Sequence, residues 1–195
     1  MSARPRLRYL RAITEEIDRL GRWLHGLLDT VRPFKLNLVP VDLNAVVEEV
    51  VTLLRSRLDG SGIEVQRRMA SNLPKLTADE VQLQQALLGV LENSVDALAT
   101  GGTIAVETEL LEVEAPRAVR ITIRDTGQGI PADHLGRVFD LFFTTKSRGT
   151  GLGLAITRTV VERHGGRVEV ESQPGAGTTV RIVLPAEAPA TEATT

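Results

Sequence analysis

The sequence of 195 residues is 42% apolar and 25% charged, with a net charge of −2 and no cysteine. These values allow one globular domain with an ordinary core and an appendage. They exclude a disulfide framework, a thiolate zinc site and the bulk basic charge that recruits nucleic acid. No apolar run approaches the ~20 residues that cross a bilayer, and the arginine-rich N-terminus lacks the apolar core of a secretory signal. We therefore expect a soluble, cytoplasmic protein or fragment with no membrane span and no nucleic-acid partner.

The first predicted element is a long helix within residues 1–33, followed by an extended linker over residues 34–41. The apolar residues of the helix recur at alternating spacings of three and four: Leu10, Ile13, Ile17, Leu20, Leu24, Leu27 and Val31. This narrow seam is typical of a coiled coil or helical bundle, so we expect a homodimer through residues 10–31. The alternative is a helix that packs on its own domain. Pro33 ends the helix, because the residue before a proline avoids the α region.

Capping residues predict where the next two helices begin. Asp42 is suited to cap a helix over residues 43–58. Thr77 and Glu80 have the spacing of a capping box, so we expect Thr77 to cap a second helix that runs to about Ala99.

Alternating apolar residues predict five strands, over 63–68, 103–111, 118–124, 167–172 and 178–184. A third long helix is predicted over residues 152–164. This order indicates an α+β domain over residues 42–185, a two-layer sandwich with a mixed, mostly antiparallel sheet and helices on one face. Residues 186–195 are rich in Ala, Pro, Thr and Glu and are expected to be disordered.

Two glycine clusters flank a phenylalanine-rich segment. Residues 125–130 read Asp-Thr-Gly-Gln-Gly-Ile, and residues 149–154 read Gly-Thr-Gly-Leu-Gly-Leu and lead into the third helix. Glycine lets a backbone approach a phosphate closely, and the amides at a helix start form an anion site. The segment therefore predicts a ligand that carries phosphate.

Three polar side chains add to this prediction. Asn93 and Asp96 are three residues apart and share one face of the second helix. An amide oxygen such as that of Asn93 can complete the coordination of Mg²⁺ on a triphosphate. Asp125 stands at the end of a predicted strand, where its carboxylate can accept a hydrogen bond from an exocyclic amine.

On these motifs the sequence resembles the ATP-binding domain of sensor histidine kinases, in the superfamily shared with gyrase, Hsp90 and MutL. The resemblance covers residues 40–185 and implies the Bergerat-type ATP-binding fold. The short lid is most similar to nitrogen-regulation-type kinases. The matching motifs are the asparagine box at Asn93, the glycine boxes at 125–129 and 149–154, the phenylalanine box at 139–146, and the C-terminal signature at 174–179 with Leu184 and Pro185.

The resemblance implies ATP and Mg²⁺ as ligands and assigns roles to the motif residues. Asp125 would accept a hydrogen bond from the adenine amine, with Thr179 and a water in support. Asn93 would bind Mg²⁺, with Asp96 beside it. The adenine pocket would be lined by Gly127, Gly129 and Ile130. The phosphates would be bound by Lys146 and by the amides of Gly149, Thr150, Gly151 and Leu152, and Gly153 would let the helix start there. A lid would be anchored by Phe142 and Phe143.

The implied function is the catalytic part of a two-component sensor histidine kinase, with a histidine-bearing bundle helix and a response regulator receiver domain as partners. None of the three histidines is followed by an acid, since the next residues are Gly26, Leu135 and Gly165. We therefore expect no phosphoacceptor in this chain and no autophosphorylation by the chain alone. His134 and His164 are predicted to be exposed helix residues.

Two alternatives remain open. ATP hydrolases of the gyrase and MutL type place a glutamate base four residues before the asparagine. Here that position is Gly89, where kinases often carry another asparagine, and Glu92 lies on a different helical face. The other alternative is a nucleotide-dependent, anti-sigma-like protein that binds a partner through the apolar seam of residues 10–31.

Overall fold

The computed structural model describes residues 36–98, 101–112, 117–146 and 149–186. The predicted N-terminal helix with its seam and His25, and the tail beyond residue 186, lie outside these ranges. The helices are α1 (Leu43–Leu53), α2 (Arg55–Ser61), α3 (Glu80–Ala97), α4 (Ala132–Leu135) and α5 (Gly153–Arg163). The strands are β1 (Val39–Val41), β2 (Ile63–Met69), β3 (Leu76–Ala78), β4 (Gly102–Leu111), β5 (Ala118–Asp125), β6 (Arg167–Gln173) and β7 (Gly177–Pro185).

Five strands form one sheet in the order β2-β4-β5-β7-β6. β2 runs parallel to β4, and the other neighbours are antiparallel. The predicted mixed, mostly antiparallel sheet is therefore confirmed. In β5, Val119, Ile121 and Ile123 belong to the buried core cluster, which also holds apolar residues of α1, α3 and α5. Since alternate side chains share a face, Asp125 continues the same row at the end of β5.

The predicted helix over residues 43–58 is present but interrupted. The Asp42 side chain accepts hydrogen bonds from the amides of Asn44 and Ala45, as expected for an N-cap. The backbone of Leu54 deviates from ideal helical angles, with φ −89° and ψ −2°, and α2 starts at the next residue. The break is slight, because the Leu58 amide still donates to the Leu54 carbonyl at 3.0 Å.

Two predictions around β1 and β3 need correction. Part of the predicted linker is a strand, since Val39–Val41 pairs antiparallel with Leu76–Ala78. Thr77 does not cap α3, because it lies inside β3 opposite Pro40. The cap is Asp79, whose side chain accepts from the amide of Gln82 at 3.2 Å.

His164 is buried, not exposed as predicted, with only 3% of its surface accessible. Its Nε2 accepts a hydrogen bond from the Asp79 amide at 2.9 Å, and its Nδ1 lies 2.8 Å from the Val160 carbonyl oxygen. Because an amide can only donate and a carbonyl can only accept, the ring is neutral with its proton on Nδ1. His164 therefore ties the end of α5 to the start of α3. His134 is half-buried, and its ring meets the edge of Phe143 at 5.5 Å between centroids.

Among the described residues, none of the helices combines the length and apolar character needed to cross a membrane.

Candidate functional site

The carboxylate of Asp125 lies at the end of the central strand β5 and is 3% exposed. Its Oδ1 accepts hydrogen bonds from the amides of Gly127 at 2.9 Å and Thr178 at 3.2 Å. Burial raises the pKa of the Asp125 carboxyl above its ordinary value, although hydrogen bonds from Gly127, Thr178 and Ser94 and the nearby Lys146 charge act to lower it. The site thus holds a largely desolvated acceptor that recognises a donor strongly when it is ionised.

Thr178, not the predicted Thr179, stands beside Asp125. The register of β5 and β7 places Thr178 directly opposite Asp125, and Thr179 opposite Arg124. Side chains on neighbouring positions of a strand point to opposite faces of the sheet, so Thr179 faces away from the Asp125 side. The Thr178 hydroxyl lies 3.0 Å from that of Ser172.

The first glycine loop is anchored at both ends. The Gln128 amide donates to the carbonyl of Ala97 at the end of α3, at 3.4 Å. The Ile130 amide donates to the Ser172 hydroxyl on β6 at 2.8 Å. Between them Gly129 has φ +70°, and a β-carbon there would overlap the carbonyl of Gln173. Only glycine tolerates both the positive φ and the close approach to Gln173. Gly129 therefore allows the loop to pass next to Asp125.

The second glycine loop is joined to the phenylalanine segment. The Phe142 amide donates to the Gly151 carbonyl at 3.0 Å. Both residues have left-handed backbones, with φ +65° at Phe142 and φ +66° at Gly151. A non-glycine residue in this region is strained, and such strain is typical of functional segments. Phe142 is nevertheless 49% exposed, so this segment packs less tightly than the sheet.

The start of α5 follows this loop. The Leu152 amide lies 3.4 Å from the Thr150 hydroxyl, and the helix begins at Gly153. The positive end of the helix dipole and its amides favour an anion at this point. The Gly149 amide donates to the Lys146 carbonyl at 3.1 Å, so in this conformation it is engaged with the phenylalanine segment.

A cation already occupies the oxygens of Asn93 and Asp96. The Lys146 ammonium lies 2.9 Å from Asn93 Oδ1 and 2.8 Å from Asp96 Oδ2. Arg57 of α2 binds the other carboxylate oxygen of Asp96 at 2.7 Å. The predicted residues of the asparagine and phenylalanine boxes therefore meet, although they are 53 residues apart.

The same oxygens suit magnesium. Within the described residues, no group of three or more His, Cys, Asp or Glu side chains could hold a metal by itself. Magnesium does not need such a cage, since it keeps several waters and takes ligands from substrate phosphates. The hard amide oxygen of Asn93, which already attracts an ammonium, fits that coordination.

Asn93 is placed next to the start of α5 by close packing of α3 on α5. A β-carbon on Gly153 would lie 3.4 Å from Asn93 Nδ2 and from the carbonyl oxygen of Gly89. The Thr157 hydroxyl, buried between the helices, lies 3.0 Å from the Ala86 carbonyl. Gly89, which departs from the kinase pattern, is therefore a packing residue.

Four residues of this site were not predicted from the sequence: Ser94, Ser172, Thr178 and Arg57. Ser94 adjoins Asn93 and lies three residues after Leu91 and four before Leu98, so its position on the apolar face of the helix was the available signal. Ser172 and Thr178 depend on strand register. Arg57 is 39 residues from its partner Asp96, and no local pattern indicates it.

Comparison with known proteins identifies the family of the chain. The family model described as histidine kinase-, DNA gyrase B- and HSP90-like ATPase matches residues 78–188. The sensor histidine kinase ZraS of Escherichia coli K12 is 39% identical over 175 residues, which are 89% of this chain and 36% of ZraS. The histidine-protein kinase AtoS of the same organism is 35% identical over 177 residues, 91% of this chain and 29% of AtoS. The chain thus spans about a third of the length of these relatives.

Solved structures give the same result. Full-length ShkA, in complex with AMPPNP, has a TM-score of 0.80 and 30% identity over 98% of this chain and 41% of its own. The nucleotide-free catalytic domain of the histidine kinase ThkA has a TM-score of 0.69 and 27% identity, covering 77% of this chain and 97% of its own. The predicted fold class is confirmed by these matches and by the sheet itself. The chain belongs to the family of histidine kinase-, DNA gyrase B- and HSP90-like ATPases.

Proposed function

We propose that this chain is the ATP-binding catalytic part of a sensor histidine kinase and presents Mg-ATP to a histidine on a bundle helix. One observation carries the proposal. Ser94 lies beside the buried Asp125 and acts to lower the pKa of its carboxyl, while its neighbour Asn93 meets Lys146. One turn of α3 thus brings together a buried carboxylate, which can accept a hydrogen bond from an amine, and an oxygen that binds a cation. A ligand with a base at one end and phosphates at the other requires both groups.

At the adenine end, Asp125 accepts the hydrogen bond of the exocyclic amine. Thr178 supports it in place of Thr179, because Thr178 shares the face of Asp125. Gly127 and Gly129 leave room for the base, and Ile130 lines the pocket.

At the phosphate end, the amides of Thr150, Gly151 and Leu152 and the start of α5 at Gly153 bind the phosphate oxygens. Lys146 neutralises their charge, Asn93 is the residue that would hold Mg²⁺, and Asp96 lies beside it. Magnesium supplies charge neutralisation on the transferred phosphoryl group. The Gly149 amide joins this set once it leaves the Lys146 carbonyl.

The chemistry needs no covalent catalyst from this chain. The bond between the γ-phosphorus and the ADP oxygen breaks, a bond from phosphorus to a histidine nitrogen forms, and ADP leaves. Catalysis by positioning and electrostatic stabilisation suits this reaction. The residues of this site hold the triphosphate in line with the incoming imidazole, and the lid around Phe142 excludes water.

The partners follow from the same proposal. Residues 10–31 form a homodimer through their heptad seam. The phosphoryl group then passes from the histidine to a response regulator receiver domain in the cytoplasm. The relatives ZraS and AtoS are named as histidine kinases, which supports the transfer to a histidine in this proposal.

The hydrolase alternative is less favoured by the geometry. The position of its general base is Gly89, which packs against Gly153. Glu92 is engaged with Arg57 at 3.5 Å. The anti-sigma-like alternative depends on residues 10–31, outside the described ranges, and the following experiment tests it as well.

The experiment is a phosphotransfer assay with a separate kinase bundle fragment that carries its histidine. We expect the chain to bind Mg-ATP, to acquire no phosphohistidine alone, and to produce acid-labile phosphohistidine on the added fragment. Asn93→Ala serves as the inactive control. Rapid phosphate release without the fragment, abolished by Glu92→Ala, would instead establish the hydrolase. Nucleotide binding without transfer to any histidine-bearing bundle would favour the non-enzymatic partner protein.

A further inference from the structure

Two cations from different elements share the carboxylate of Asp96. Arg57 of α2 binds Oδ1 at 2.7 Å, and Lys146 of the lid segment binds Oδ2 at 2.8 Å. Arg57 also lies 3.5 Å from Glu92, one turn earlier on α3. The side chains of Arg57, Asp96 and Lys146 are all partly exposed, at 46%, 38% and 35%.

The contacts that Lys146 makes with Asn93 and Asp96 have to change when nucleotide binds. Lys146 covers Asn93 Oδ1 at 2.9 Å, which is the oxygen that the proposed function assigns to Mg²⁺. An ammonium and Mg²⁺ on one oxygen repel each other strongly, so Lys146 has to move toward the phosphates. Its departure leaves Asp96 with one cation close to a triphosphate, and an unneutralised carboxylate there repels the ligand.

We propose that Arg57 is a positioning residue of the phosphate end. Arg57 holds Asp96 and neutralises its charge while Lys146 leaves Asn93 and Asp96 and contacts the nucleotide instead. This inference rests on the proposed nucleotide site. Arg57 does not touch the nucleotide; it acts through Asp96. Its second contact, with Glu92, spans the turn of α3 that carries Asn93, so Arg57 keeps that turn in one orientation in both states.

An ordinary surface ion pair would have no such role, and the chain offers a matched control. Arg55 is on the same helix and pairs with Asp59 at 3.9 Å, with both side chains more than three-quarters exposed. Removing either arginine deletes one exposed positive charge from α2. Only Arg57 contacts the helix that carries the site, so the difference between the two variants isolates positioning from general electrostatics.

The test measures the binding of Mg-AMPPNP and of adenosine to the intact chain by calorimetry. We expect Arg57→Ala to weaken Mg-AMPPNP by about two- to fivefold, the range of a partly exposed ion pair, and to leave adenosine binding and the melting temperature unchanged. Arg57→Lys restores part of the loss because it keeps the charge. Arg55→Ala binds as the wild type, and Arg57→Ala has a smaller effect once Asp96 is changed to Asn, because only the contact with Glu92 then remains.

The outcomes separate this inference from the proposed function. A wild-type chain that does not bind Mg-AMPPNP overturns the proposed function. Wild-type binding together with equal affinities for Arg57→Ala and Arg55→Ala overturns the role of Arg57 alone. Equal losses for adenosine and Mg-AMPPNP assign Arg57 a merely structural role and also overturn it. Should Arg57→Ala fail to fold, Arg57→Gln, which keeps the length and polarity of the side chain, gives the same comparison.

Discussion

Gly89 of α3 lies directly against Gly153, the first residue of α5: a β-carbon on Gly89 would approach the Gly153 carbonyl oxygen to 3.0 Å. That separation is tighter than ordinary packing, and the obstacle is backbone. The contact sets the distance between the helix that carries Asn93 and the helix that starts at the proposed phosphate site. A departure from the kinase pattern is therefore explained by the packing of two helices.

We predict that Gly89→Ala weakens Mg-nucleotide binding without the stabilisation that alanine normally brings to a helix. Replacing glycine in a helix interior typically gains about 0.5–1 kcal/mol, but here the new methyl group displaces the start of α5. Gly60 of α2 is the matched control, because nothing lies within 4 Å of its β-carbon position. Denaturant unfolding and calorimetric binding are measured for both variants. A Gly89→Ala protein that gains stability like Gly60→Ala and keeps its full affinity would contradict the contact.

Asp125→Asn is predicted to lose nucleotide affinity and to keep its stability at neutral pH. Asparagine retains an acceptor for the amides of Gly127 and Thr178, but it presents a donor to the adenine amine. The loss of a hydrogen bond to a charged group is worth about 1.5–3 kcal/mol, or about ten- to hundredfold in affinity. Removing a desolvated charge offsets any loss of unfolding free energy. Asp133→Asn, at an exposed aspartate of α4, should bind as the wild type, whereas a globally unstable Asp125→Asn protein would refute the assignment.

The raised pKa of Asp125 predicts opposite pH dependences for stability and binding. The folded chain binds this proton more tightly than the unfolded chain does. The free energy of unfolding of the wild type, relative to that of Asp125→Asn, therefore falls as the pH rises from the ordinary aspartate pKa to the raised pKa of Asp125 in the folded chain. Above that raised pKa the difference is constant. Nucleotide affinity rises over the same range, because only the ionised carboxylate accepts from the adenine amine. Unfolding and binding are measured from pH 4 upward, and a relative stability that rises with pH would show that burial does not dominate.

Local patterns predicted the elements that have enough residues to show a period. Strands β2 and β4 to β7 and helices α3 and α5 lie within two residues of their predicted bounds. Three-residue strands are too short to alternate, and β1 contains Pro40, which reads as a linker. Thr77 satisfied the capping pattern as well as Asp79 does. The pairing of β3 with β1 decides between them, because it places Thr77 inside a strand. The local sequence of β1 or of β3 does not reveal that pairing.

The site was predictable where its chemistry is local and not where it depends on distant contacts. The glycine boxes carry their own signal in their spacing, whereas the role of Asn93 was implied by the family resemblance. The choice between Thr178 and Thr179 is a shift of one residue, and only the register with β5 settles which face each takes. His164 reads as an exposed residue at a helix end, because its donor, the Asp79 amide, lies 85 residues away.

The pair of threonines gives a test in which neighbouring residues serve as control for each other. Thr178→Val removes the hydroxyl beside Ser172 and Asp125, and we predict a loss of about three- to tenfold in nucleotide affinity, the effect of one hydrogen bond. Thr179→Val changes the opposite face and should stay within about 0.5 kcal/mol in both binding and stability. Competition binding with Mg-AMPPNP distinguishes them. A larger loss for Thr179→Val would restore the original assignment.

The two histidines among the described residues, His134 and His164, should respond differently to the same substitution. His164→Phe keeps an aromatic ring of similar size but leaves the buried Asp79 amide without its acceptor, which costs about 1–3 kcal/mol of unfolding free energy. His134→Phe removes an Nδ1 that is buried without a hydrogen-bond partner among the described residues, so its stability should be unchanged or higher. Urea unfolding at neutral pH measures both. Because His164 joins the end of α5 to the start of α3, away from Gly153 and Asn93, the nucleotide affinity of folded His164→Phe should match the wild type. Equal stability losses in the two variants would mean that the hydrogen bond to Asp79 contributes nothing beyond packing.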